Sequence, residues 1–265
     1  MTPIVLISPA MGIGSRYYRP LVEAFEARGW AARALPRRGF EPGSPAASRR
    51  HDWSYRDEIA DIASAVAAAR AGTPGRPVIL LGHSLGGQLA AGHQINQLPA
   101  DGMVTVGTCL PYHRDYPYGG PHLVVMGWVI VPVLTALFGH LPKPAFGGPG
   151  ARTLMREWAR MAVTGRTPFP VAAPVGTPAL VVALEGDRLA PPPAVSRFSD
   201  RLFAPESVTT WLYRHEDVPE GASNDHIYWV RNPEPVVDRV LTWWAATTPA
   251  GEAPGESLSH PPTTG

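Results

Sequence analysis

The sequence predicts an α/β fold: a mostly parallel sheet of about six strands, helices on both faces, and a helical insert. Two observations carry this. Short apolar runs alternate with segments of helical period along residues 4–246, the pattern of strands joined by crossover helices. The strand runs are also apolar throughout, as expected where helices cover both faces of a sheet. Size agrees: 265 residues fit one α/β domain, and a 45% apolar content supplies its core.

Each element has its own signal. Residues 4–7 are a β-branched run followed by a glycine loop through Gly14. A helix over 18–28 spaces Leu21, Val22 and Phe25 on one face and stops at Gly29, a C-terminal glycine cap. The second strand, 30–35, leads into a Pro/Gly/Arg-rich loop to about residue 52. A helix over 55–71 presents Ile59, Ile62 and Val66 and ends at Gly72. Strand 78–81, helix 85–97 and strand 103–106 follow. An insert of about 110–176 precedes the fifth strand, 179–184. Helix 194–203, strand 208–213 and helix 235–246 complete a single domain spanning 1–246. Residues 247–265, rich in Thr, Pro, Gly, Glu and Ser, are expected to be a disordered tail.

Composition narrows the chemistry. A net charge of +1 with no basic run argues against nucleic-acid binding. One cysteine, Cys109, makes neither an intrachain disulfide nor a zinc cluster. His51, His93, His113, His122 and His140 lack paired ligand spacing, so no metal is implied. No targeting signal is recognised at the N-terminus, and cytoplasmic residence is expected. The apolar stretch 123–138 contains Pro132 and falls short of the about 20 residues of a membrane helix. It reads as a buried or lid helix without stable membrane insertion.

Gly82-His83-Ser84-Leu85-Gly86-Gly87 lies between a predicted strand and a predicted helix. This is a G-x-S-x-G nucleophile elbow in its required setting. The turn is so sharp that a Cβ at Gly82 or Gly86 should collide with neighbouring backbone. A hydroxyl needs a base to take its proton, and the base needs an acid to orient it. With the order Ser, acid, His, Asp187 after the fifth strand and His226 after the sixth are the candidates. Glu185 is the rival acid and His215 the rival base; His83 reads as a packing residue or as a support behind the reacting groups. The oxyanion donors are the amides of Leu85 and of Met11, in the loop after the first strand. That loop lacks both a Lys-Ser/Thr and a G-x-G-x-x-G pattern, so no phosphate or dinucleotide cofactor is implied.

On GHSLGG at 82–87, EGD at 185–187 and NDH at 224–226, the chain resembles the α/β-hydrolase superfamily across about residues 2–246. SPAMGIGSRYYRPL at 8–21 is similar to the opening of a poorly characterised bacterial subgroup of predicted hydrolases. The resemblance implies a Ser84–His226–Asp187 triad with Met11 and Leu85 as oxyanion donors. It also implies that the two N-terminal strands of larger relatives are missing.

The expected activity is cleavage of an ester or thioester through a Ser84 acyl-enzyme. Acyl transfer or cyclisation, a lyase or cofactor-free reaction on the same triad, and a non-catalytic ligand receptor are the alternatives, because fold does not fix chemistry. The insert suggests the substrate. Its segment 122–131 carries no charge, Pro132 should kink or divide a helix, and Leu154, Met155, Trp158 and Met161 recur at helical spacing. Met126, Trp128 and Trp158 are expected to line an apolar pocket for a hydrophobic small molecule.

Overall fold

In the computed structural model, which describes residues 2–247, six parallel strands form one sheet. They are β1 (Ile4–Ser8), β2 (Ala31–Ala34), β3 (Val78–His83), β4 (Gly102–Val106), β7 (Ala179–Leu184) and β8 (Val208–Tyr213), in the order β2-β1-β3-β4-β7-β8. A two-stranded antiparallel hairpin, β5 (His140–Leu141) with β6 (Gly150–Ala151), lies in the insert. The expected fold class is borne out.

Side chains alternate across the sheet, as period-two geometry requires. Leu6, Leu80 and Met103 face one core layer, with α2 (Tyr55–Gly72), α3 (Leu85–Asn96) and α7 (Pro192–Leu202). Val5, Ile7, Ile79, Leu81 and Val104 face the other, against α1 (Arg19–Glu26) and α8 (Glu234–Thr247). All six residues of β3 are buried, which explains why its run lacks polar alternation. The start of α2 is set by Ser54 and Asp57. Each side chain bonds the other's backbone N–H, a capping box that satisfies two otherwise orphaned donors.

The segment between β4 and β7 packs onto the first layer. It holds α4 (Pro121–Val125), α5 (Val131–Phe138) and α6 (Arg152–Thr164). Pro132 does not divide the apolar helix. A π-helical turn, Met126–Ile130, joins α4 to α5, and the Val131 N–H reaches back to the Met126 carbonyl. Widening the turn just before the proline accommodates a ring that would clash with an ordinary preceding turn. The expected tail, 247–265, lies outside the described residues apart from Thr247, the last residue of α8.

Candidate active site

Ser84 stands between β3 and α3 with φ 54° and ψ −119°. A non-glycine residue held there costs of order 1–3 kcal/mol and persists only where its surroundings over-determine it. Here they do. A Cβ on Gly86 would come within 2.0 Å of the Ser8 carbonyl oxygen, and one on Gly82 within 2.4 Å of the Gly87 Cα. The Ser84 N–H is tied to the Val106 carbonyl on β4 at 3.0 Å. Backbone packed this closely leaves the serine no relaxed alternative.

Two loops from the neighbouring strands bring the other partners. Asp187 is buried past the end of β7 and His226 is buried in the loop after β8. His226 Nε2 lies 3.0 Å from Ser84 Oγ, and His226 Nδ1 lies 2.6 Å from Asp187 Oδ2. Asp187 Oδ1 accepts the N–H groups of Leu189 and Ala190, both at 2.8 Å. With one oxygen held by two amides, the other can only face the imidazole. That fixes Nδ1 as the protonated nitrogen and leaves Nε2 to accept from the serine hydroxyl.

The rivals are placed elsewhere. Glu185 accepts the His215 N–H at 2.7 Å, and His215 itself is exposed on that turn. Asn224 holds the histidine loop from below by donating to the Tyr213 carbonyl at 3.0 Å. Tyr17 donates from above to the Ile227 carbonyl at 2.9 Å.

His83 takes the second of its two expected places, as a support behind the reacting groups. Its Nε2 donates to the His226 carbonyl at 2.7 Å, and its Nδ1 accepts from the Tyr18 hydroxyl, also at 2.7 Å. That hydroxyl in turn accepts the Ala10 N–H at 2.7 Å. Burial, with His226 beside it, holds the His83 pKa well below the usual histidine range, so the ring stays neutral. Burial likewise raises the Tyr18 pKa, keeping its proton. A neutral chain therefore connects the loop carrying Met11 to the backbone of His226. Sequence reasoning missed it because Tyr18 and His83 are 65 residues apart and His83 and His226 are 143 apart.

Gly107 was also missed. It has φ 55°, and a Cβ there would sit 2.9 Å from Asp187 Oδ2 and 3.3 Å from His226 Nδ1. Its signal was a glycine immediately after a buried strand.

Ser84 and His226 open into a cavity of about 500 Å³. Met11 and Leu85 line it beside the serine; Met126, Phe146, Trp158 and Leu189 form much of its apolar wall. Phe146 and Trp158 meet edge to face with ring centroids 5.0 Å apart. Trp128 corrects the expectation: it is 67% exposed and lies outside this lining. Gly127 is pressed against Ala159 and Val163 of α6. Trp128, the next residue in the π turn, projects outward instead.

Among the described residues no group of three or more His, Cys, Asp or Glu is placed to hold a metal ion. Cys109 is buried in the cavity wall, its thiol pushed up to about 12 by burial, so it is not a competing nucleophile.

A strained serine at a strand-to-helix turn, on a six-stranded parallel sheet, defines an α/β-hydrolase. Residues 1–143 match the family described as serine aminopeptidase, S33, and the chain belongs to that family. No curated protein sequence matches it. Solved structures with the same fold include the monoacylglycerol lipase of Paleococcus ferrophilus, at 16% identity and TM-score 0.59, over 91% of this chain and 96% of that one. MenH from S. aureus aligns at 14% identity and TM-score 0.60, over 93% and 95%. The type II thioesterase BorB from the borrelidin biosynthetic cluster aligns at 15% identity and TM-score 0.56, over 92% of this chain and 93% of that one.

Proposed function

We propose that the protein hydrolyses a carboxylic ester or thioester of a hydrophobic small molecule through an acyl-enzyme on Ser84. The observation carrying this reading is the unbroken hydrogen-bond chain from Asp187 through His226 to Ser84, ending in a largely apolar cavity. A lipase and a thioesterase among the structures sharing the fold support the substrate class.

In this mechanism Ser84 Oγ attacks the carbonyl carbon while His226 Nε2 takes its proton. Asp187 stabilises the imidazolium that forms. The oxyanion is held by the amide of Leu85, in the first turn of α3 where N–H groups have no intrahelical partner, and by that of Met11. His226 then gives its proton to the departing alcohol or thiol. Water, deprotonated by the same nitrogen, releases the acid and restores Ser84. The apolar wall of Met126, Phe146 and Trp158 takes the acyl chain, each buried methylene contributing about 0.8 kcal/mol.

The test is a p-nitrophenyl ester series from acetyl to hexanoyl, with wild type and Ser84→Ala. We expect kcat/KM to rise with chain length and a burst of p-nitrophenol matching the enzyme concentration. A flat series, or hydrolysis retained by Ser84→Ala, refutes the reading.

A further inference from the structure

The helix that walls the cavity is apolar on both sides. A helix apolar all round is normally covered all round. Here the inner side is: Leu123, Gly127, Val131 and Thr135 are buried, and Met126 faces the cavity. The outer side is bare. Val125, Val129, Val133 and Leu137 follow one another every fourth residue, flanked by Trp128 and Phe138, and all six are between 48% and 67% exposed. Single exposed apolar residues need no explanation, but a continuous stripe of six marks a surface that something covers.

The charge of the insert that carries the stripe indicates the occupant. Residues 110–176 contain six Lys or Arg against two acids, Asp115 and Glu157, a net of +4 in a chain whose net is +1. Both acids turn inward. Asp115 is 3% exposed beneath Arg197, and Glu157 accepts the Tyr55 N–H at 2.8 Å. Five of the six cations are exposed, and Arg152 is half-buried against Asp52. Exposed Arg156 of α6 donates to Thr135 Oγ1 at 2.9 Å from the inner side of α5, exposed Arg160 follows one turn on, and Arg49 bonds the Leu137 carbonyl at the helix end.

We propose that this face docks on an anionic lipid surface, lying in the headgroup region with the stripe immersed and the arginines on phosphates. The helical run Pro117–Phe138 has 22 residues, longer than the sequence suggested and apolar enough to cross a bilayer, but it lies along the surface in this proposal because its inner side is committed to α6 and the cavity. A hydrophobic molecule leaving the lipid would then meet the cavity wall directly. This placement deepens the proposed reaction but does not depend on it.

The experiment is co-sedimentation with vesicles of phosphatidylcholine alone and with 30% phosphatidylglycerol. The wild type should pellet with the anionic vesicles and be released by salt. Trp128→Ser/Val129→Ser/Leu137→Ser should bind at least tenfold more weakly. Arg156→Glu/Arg160→Glu should lose about fivefold per cation, the equivalent of about 1 kcal/mol each near an anionic surface. Both variants should hydrolyse a dissolved p-nitrophenyl ester at the wild-type rate and keep its thermal midpoint, separating docking from folding. Wild type left in the supernatant, or pelleting equally with either variant, overturns the proposal. So does a wild-type dimer that the serine variant makes monomeric, since the stripe would then cover a second copy of the chain. Vesicle binding without turnover of any ester would instead remove the hydrolytic reading alone.

Discussion

The elbow and the insert face each other across one cavity, yet they are built on opposite principles. Around Ser84 the geometry is set by backbone against backbone, with Gly82 and Gly86 so close to their neighbours that even a methyl group would collide. In the insert, the side chains of Met126, Phe146 and Trp158 supply much of the cavity wall. A Cβ that would sit 2.0–2.4 Å from backbone atoms admits no substitution at Gly82 or Gly86, whereas a methionine can refill an irregular gap. In the proposed reaction the attacking oxygen therefore sits on the part of the molecule that cannot drift. Acyl preference would sit on the part that can.

The sharpest break in that contrast is Ser84→Ala, which should lower kcat by about 10⁶ with little change in the thermal midpoint, measured on p-nitrophenyl butyrate. Asp187→Asn should keep the fold and cost about 10⁴ in kcat by losing the correct imidazole tautomer; His215→Ala should remain within twofold of wild type. If the His215 variant is the inactive one, His226 is not the base. Tyr18→Phe removes the donor to His83, leaving a buried acceptor unpaired at a cost of about 1–3 kcal/mol. Because it acts through the position of His226, it should reduce kcat roughly tenfold or more with KM nearly unchanged. The insert should respond least. Met126→Ala should flatten the rise in kcat/KM with acyl length, which reaches about fourfold per methylene at most, while Trp128→Ala should leave it intact on dissolved esters. A steeper loss at Trp128 than at Met126 would reverse the placement of these side chains.

The sequence made local features readable and distant ones opaque. β3 announced itself by an apolar run and the elbow by spacing, because both are short-range. Asp187 and His226 were legible through chain order after successive strands. Trp128 misled because periodicity shows that a helix has an apolar side without saying which of two such sides faces inward, and the π turn at Met126–Ile130 shifts the phase. The β5–β6 hairpin pairs only two residues from each strand, too few to leave a pattern. Tyr18, His83 and Gly107 matter through partners far away in sequence, which no window contains.

The sheet order has a consequence for how this enzyme should fail. Ser84 follows β3, Asp187 follows β7 two positions away, and His226 follows β8 three positions away. At about 4.8 Å per strand, the base begins roughly 14 Å from the nucleophile and returns by way of a long loop. That loop rests on a handful of tethers: Asn224 to Tyr213, Tyr17 to Ile227, and His83 to the His226 carbonyl. Warming should release it before the sheet yields, so catalysis should fade, and return on cooling, several degrees below the cooperative melting of the domain. The histidine loop, rather than the core, then sets the upper working temperature.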